Sequence, residues 1–279
     1  MNFMDFCSLH GVTLRQLPPV GRWVRVPTDD KPHSKNGAVK FMGDVGFVQN
    51  WATQTEPAVW REQGQSTEAV ARVRQIADQG AREAREAAQK AASRAQHILS
   101  ECELAPHPYL ASKGFPEDLA NVWNRETDNV MVIPMRCGGQ IVGCQQITAE
   151  GGKKFLFGQR SSMAEFVMTA GQDGVHVVCE GYATGLSVRA ALATLRRPYY
   201  VHVAFSAGNM KKIAQALPSG LAIADNDASE TGEKTCKEIG WPYWMSDTVG
   251  EDCNDYHQRR GLFALAQGLQ KMLLDRRRR

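Results

Sequence analysis

From Gly174 to Met245 the chain alternates short apolar runs with stretches of helical periodicity, and this rhythm limits its possible folds most sharply. It predicts a strand at 175 to 179, a helix at about 183 to 195, a strand at 199 to 204, a helix at 209 to 217, a strand at 221 to 224, a helix at 231 to 239 and a strand near 242 to 245. Strands that take turns with helices imply a mainly parallel sheet covered by helices, a compact α/β domain. In such sheets ligands bind just past the carboxyl ends of the strands. Two of these strands run straight into carboxylates: VHVVC is followed by Glu180, and LAIA by Asp225 and Asp227.

Asp225 and Asp227 are two apart, so in an extended segment both side chains can face one way. Glu180, from a neighbouring strand end, would complete a cluster. Like charges that close together repel by several kcal/mol unless a cation lies among them. Oxygen-only ligation, with no His or Cys nearby, favours Mg²⁺ or Mn²⁺ and suits phosphate chemistry. For either stretch taken alone an alternative stays open, in which Glu180 caps the following helix and the two aspartates form a turn.

The rest of the chain differs in texture. Residues 1–65 are rich in Gly, Pro and aromatics, with alternating pieces at Arg22 to Val26 and Ala38 to Met42 and turn signals at Asp29-Asp30 and Asn36-Gly37. They read as a small β-rich module. Residues 66–103 hold one long helix, capped by Ser66 and ending near Ser100. Its narrow stripe of alanines suits a connecting element better than a core one. In 104–172, APHPYLASKGFPEDLA predicts a short helix broken at Gly114 with Pro116 opening another. Two strands joined by Cys137-Gly138-Gly139 follow, and then GGKKFLFG. Residues 173–258 are the alternating α/β domain, and 259–279 a helix with a basic tail.

Seven cysteines are scattered without a C-x-x-C pair, which argues against a disulfide framework and against a zinc ribbon. The net charge of +3 hides an asymmetry: residues 173–257 carry 11 acidic and 7 basic side chains, so the cationic surplus lies elsewhere. That distribution allows a polyanion to be held outside the acidic segment while chemistry occurs within it. No apolar run reaches the length of a membrane span, and the first residues are polar where a signal peptide is apolar, so a cytoplasmic protein without membrane contact is expected.

Glu180-Gly181 with Gly185, followed by Asp225-Asn226-Asp227, is the E-G-x-x-x-G and D-x-D pattern of the Toprim domain, which this segment resembles. More specifically the chain resembles the Toprim primases of phages and plasmids. HPYLASKGF, VIPMRCGGQIVGCQQI, GGKKFLFG, EGYATGLS, SAGNM and GEDCNDY occur in that group's order, over roughly residues 104–258. The resemblance implies a Toprim, Rossmann-like catalytic domain preceded by a small α+β module and a long connecting helix. It also implies a nucleotidyltransferase, a DNA primase that makes short RNA primers from NTPs on a single-stranded DNA template, with a replicative helicase supplied in trans.

By the same resemblance Glu180, Asp225 and Asp227 would be catalytic and hold Mg²⁺ or Mn²⁺, with Asp252 and Asp255 as additional or supporting ligands. Arg136, Lys153 and Lys154 would neutralise triphosphate and template charge, although for the two lysines an exposed turn is the competing reading. Asn209, in SAGN, would offer its amide to the nucleotide or merely shape a strand-to-helix turn. Two further functions stay open: a Toprim-type metal-dependent nuclease, and a non-catalytic nucleic-acid-binding module that recruits other proteins. ASETGEKTC lacks the Gly-Lys-Ser/Thr ending of a phosphate loop. Without a zinc ribbon, template contact falls to residues 1–65, where Trp23, Arg25, Lys40, Phe41, Phe47 and Trp51 can either stack on bases or form the module's core. The missing ribbon and small size lean towards a phage protein, which would work in the bacterial host cytoplasm.

Overall fold

Alternation in the first sixty or so residues produces an antiparallel sheet with one face covered. Helix α1 (Phe3–Leu9) packs on strands β1 (Trp23–Val26), β2 (Gly37–Phe41), β3 (Val45–Asn50) and β4 (Ala58–Arg61), which neighbour one another in that order. Asn2 caps the helix, its Oδ1 accepting from the Asp5 N–H at 2.9 Å. Phe3 and Cys7 from α1 meet Val26, Val39, Val48 and Trp60 in the core. Gly46 makes room for this, because a Cβ there would stand 2.1 Å from the Phe3 ring.

The turn expected at Asn36-Gly37 is absent. Gly37 is in strand, paired with Val26 and Asn50, and the β2–β3 reversal falls at Gly43, whose φ is +100°. Gly37 answers a packing demand, since a Cβ would lie 3.0 Å from Thr28 Cγ2 and 3.2 Å from Val12 Cγ2. This is the computed structural model's first compact unit, Met1–Glu86; the second is Ala87–Arg279, and residues 1–54, 56–62, 67–125, 128–228 and 230–276 are described.

Helix α2 (Thr67–Ser100) runs from the first unit into the second. Its expected cap, Ser66, lies outside the described residues, as does the end of the basic tail, 277–279. Near its end Ala95 and Ile98 pack with Val132 and Cys144.

The second unit holds two sheets. In the first, β5 (Glu103–Ala105), β6 (Ala120–Asn124), β7 (Asn129–Cys137), β8 (Gln140–Ile147) and β9 (Lys153–Phe155) are antiparallel neighbours in chain order, with helix α3 (Pro108–Ser112) between β5 and β6. Gly138 and Gly139, at φ +57° and +79°, close β7–β8 as the tight primed turn that such a Gly pair favours. The second helix expected at Pro116 does not form: Phe115 N returns to Leu110 O and the chain passes through a turn into β6. Gly114, at φ +85°, has already ended the helix, and too few residues remain before β6 for another.

The other sheet contains the alternating segment: β10 (Phe166–Ala170), β11 (Val175–Cys179), α4 (Tyr182–Thr194), β12 (Tyr199–Val203), α5 (Ala207–Gln215), β13 (Gly220–Ala224), α6 (Thr231–Ile239) and β14 (Tyr243–Met245). Their spatial order is β10-β12-β11-β13-β14. The last four are mutually parallel, as the rhythm predicts, and β10, not expected from the sequence, adds an antiparallel edge on β12. Successive residues of β11 face opposite layers. Val177 and Cys179 join the core under α4, α7 (Cys253–Arg260) and α8 (Leu262–Arg276), while Val178 joins the one under α5 and α6.

The chain leaves β11 for β12 on one side and returns to β13 on the other. The carboxyl ends of β11 and β13 therefore flank the point where strand order reverses, the usual position of a ligand crevice in such sheets. Gly185 lets α4 lie this close. A Cβ there would stand 2.7 Å from Val203 Cγ2 and 2.8 Å from Met168 Cε. Gly185→Val should therefore cost about 1–3 kcal/mol by overpacking. A urea titration showing an unchanged midpoint would refute that contact.

Candidate active site

Glu180 is the first residue after β11, Asp225 the first after β13, and Asp227 two further on. Register puts these two strands side by side, Val178 opposite Ala222, so their ends are neighbours. Asn226 sets the direction of the D-x-D segment. Its Nδ2 donates to Ser246 O at 3.0 Å, its N–H to Glu251 O and its carbonyl accepts from Gly250 N. With Asn226 held by the loop after β14, the aspartates on either side of it turn together towards Glu180.

The charges report this convergence. Burial pushes the Asp225 carboxyl up to about 7, reinforced by Asp252, Glu180 and Asp227 and opposed by Lys153. Glu180 is raised in the same way, by burial first and then by Asp227, against the pull of Lys153 and of the Ala207 N–H that its carboxylate accepts. That N–H belongs to the first turn of α5, where an anion is favoured. Asp225 Oδ1 is buried and finds no hydrogen-bond partner, a costly condition for a carboxylate oxygen.

The donor chemistry fits a hard divalent cation: only carboxylate oxygens, mutually repelling, one of them an unpartnered oxygen. Among the described residues no three His, Cys, Asp or Glu side chains stand at metal-holding spacing. One or two carboxylates, with waters and substrate phosphate completing the shell, is the arrangement Mg²⁺ ordinarily takes.

The remaining expected residues are placed unequally. Asp252 caps α7 and faces Asp225; its Oδ1 accepts from Asp255 N at 2.8 Å, and Asp255 Oδ2 accepts from Asp252 N at 3.2 Å. Asp255 thus serves the capping box. Lys153, on β9, is the expected cation whose charge reaches Glu180 and Asp225, whereas Lys154 is on the opposite face of that strand. Arg136 donates to Gly139 O at 3.1 Å, at the β7–β8 turn.

Asn209 is spent inside the protein. Its Nδ2 donates to Ala164 O and Ala204 O, and its Oδ1 accepts from Met163 N, so both amide hydrogens go to structure and not to a nucleotide.

Two residues beside the site carried no signal in the sequence. Phe205 holds a φ of +65°, rare for an aromatic residue, while its N–H donates to Glu180 O and its ring meets Phe155 edge-on. Gly232, near the start of α6, is pressed against Asp225: a Cβ would lie 2.5 Å from Asp225 O and 3.0 Å from Asp225 N.

No protein-family profile matches the chain, and no curated protein matches it either. Among solved structures it is similar to the primase fragment of the bacteriophage T7 primase-helicase protein, at 18% identity and TM-score 0.40, covering 55% of this chain and 66% of that one. It is also similar to the DnaG catalytic core, at 10% identity and TM-score 0.39, covering 66% and 72%. A DNA primase domain from Pseudomonas aeruginosa gives 16% identity and TM-score 0.36, covering 51% and 50%.

Proposed function

We propose that the chain is a Toprim-type DNA primase, a nucleotidyltransferase that copies single-stranded DNA into short RNA primers with Mg²⁺ or Mn²⁺. The observation that carries this reading is the convergence of Glu180, Asp225, Asp227 and Asp252 at the strand-order switch, with a buried, unpartnered Asp225 oxygen among them. One or two of Glu180, Asp225 and Asp227 would hold the ion, with waters and substrate phosphate completing its shell, and the ion would supply charge stabilisation at the attacking and leaving oxygens of a phosphoryl transfer.

The chain's own residues do the rest. Lys153 offsets the negative charge and offers an ammonium to the triphosphate. Lys154 and the exposed Phe157 extend a basic and aromatic surface from β9 that suits a nucleic-acid strand. Asp252 supports Asp225 electrostatically and stays in place through the capping box.

The direct test is incubation with single-stranded DNA, Mg²⁺ and labelled NTPs, resolving products by length. New short strands support polymerisation; shortening of the DNA would replace it with the nuclease reading. A positioning role for Gly232 adds a second test. Gly232→Ala cannot be accommodated without moving the Asp225 backbone, so kcat should fall up to about 100-fold. The KM for NTP should change little, and an unchanged kcat would remove Gly232 from the argument.

A further inference from the structure

The sheet of the first unit has a second face, and it has the composition of a ligand surface. Strand alternation sends Val26, Val39, Val48 and Trp60 to the core under α1, and Phe41, a candidate base-stacker in the sequence, goes with them, stacked on Phe3 at 5.1 Å. Their alternates form the other face, which α2 approaches at Lys40, a Cβ on Gly80 standing 3.8 Å from the Lys40 Nζ. Register lines up Trp23, Lys40, Phe47 and Val59 as one row across all four strands. Trp23 and Phe47 lie with ring centroids 6.1 Å apart. Next to that row the Arg25 guanidinium lies over the Trp51 ring at 3.6 Å. Trp23 remains 49% exposed and Trp51 40%, large fractions for tryptophan.

Charge decides among the occupants. The four strands contain three charged residues, Arg25, Lys40 and Arg61, all cationic and all on this outer face. A second copy of the chain would bring like charges together. A polyanion with apolar flat groups matches both features, phosphates to the cations and bases to the rings.

We infer that this face binds single-stranded nucleic acid, with bases stacking on Trp23 and Trp51 and the backbone tracking Arg25, Lys40 and Arg61. The binding stands apart from the chemistry proposed at Glu180 and Asp225 and can be measured without it.

The experiment uses the full chain in EDTA, without NTPs, and follows the anisotropy of fluorescein-labelled oligo(dT), with oligo(rU) in a parallel arm to separate DNA from RNA. Trp23→Ala should weaken binding about tenfold, and Trp23→Phe should restore most of it. Lys40→Gln should lower the slope of log K against log salt by about 0.7, one phosphate contact. Thermal unfolding of each variant monitors the fold. Wild-type affinity and salt slope in folded Trp23→Ala and Lys40→Gln would overturn the inference and leave the face to a protein partner. Failure of the wild-type chain to bind either oligonucleotide would also overturn it. Oligonucleotide binding by a wild-type chain that makes no primers with NTPs and Mg²⁺ would strike the function proposed above and leave this surface intact.

Discussion

Replacing Asp225 by alanine should abolish template-dependent strand synthesis, lowering kcat by about three orders of magnitude or more, or roughly 4 kcal/mol of transition-state stabilisation. The expectation rests on position. Asp225 is the residue on which Glu180, Asp227 and Asp252 all act, its Oδ1 is buried without a partner, and it leaves β13 at the strand-order switch. Its removal takes away no hydrogen bond from Oδ1, so the fold should persist. Labelled NTP incorporation beside the wild-type chain, with matched far-UV circular dichroism, measures it. Retention of activity within tenfold of wild type would end the proposal that this carboxylate holds the metal.

The second large effect is on stability and has the opposite sign. Asp225→Asn should stabilise the fold at pH 8 in EDTA by on the order of 2–4 kcal/mol. In the unfolded chain the carboxyl ionises at its ordinary 3.8, whereas in the fold burial and the neighbouring acids hold the proton until about 7. Below the lower value both states are protonated and nothing is lost. Between the two, the unfolded chain ionises first and stability falls as pH rises; above the higher value the full penalty applies. The asparagine variant escapes it, so the two chains should differ at pH 8 and converge near pH 3.

Denaturant titrations at several pH values would show this. Mg²⁺ should then raise wild-type stability and leave the variant unchanged, since only an ion bound to the folded state shifts the balance. Equal stability of the two chains at pH 8 would mean that Asp225 carries no such burden.

Gly232 shows how the stability and activity arguments meet. Its neighbourhood, TGEKTC, resembles a failed phosphate loop when read along the chain. In three dimensions the glycine lets the start of α6 close on the Asp225 backbone. Gly185, within α4, has a similar role where that helix packs on Val203 and Met168. Both positions allow the close packing that keeps the carboxyl ends of the central strands where the acids can converge.

The alternating segment was legible because its elements are set by local rules. Apolar runs of strand length between helical stretches produced β11 to β14 and their helices close to the expected bounds, and the Gly138-Gly139 turn followed from the need for positive φ. The carboxylates at strand ends were visible for the same reason, because parallel topology says where a strand end lies. Residues whose roles depend on distant partners were not legible. Asn209 reads equally as a nucleotide donor or as part of a strand-to-helix turn, and only the fold ties its amide to Ala164, Ala204 and Met163. Asn36-Gly37 carried a turn signal that close packing against Thr28 and Val12 overrode. The first-unit aromatics could not be divided into core and surface before the register was known.

The sequence by itself therefore determined the α/β architecture of 173–258, the candidate acids Glu180, Asp225 and Asp227, and the oxygen-only chemistry they imply. Only the tertiary structure decided that Asp252 joins them while Asp255 turns to its cap, that Lys153 faces them while Lys154 does not, and that Trp23 and Trp51 stay exposed while Phe41 is packed on Phe3. The physical reason is that local pattern specifies which elements form and which way their faces alternate. Strand order and register specify which faces meet, and these depend on contacts between residues far apart in the chain.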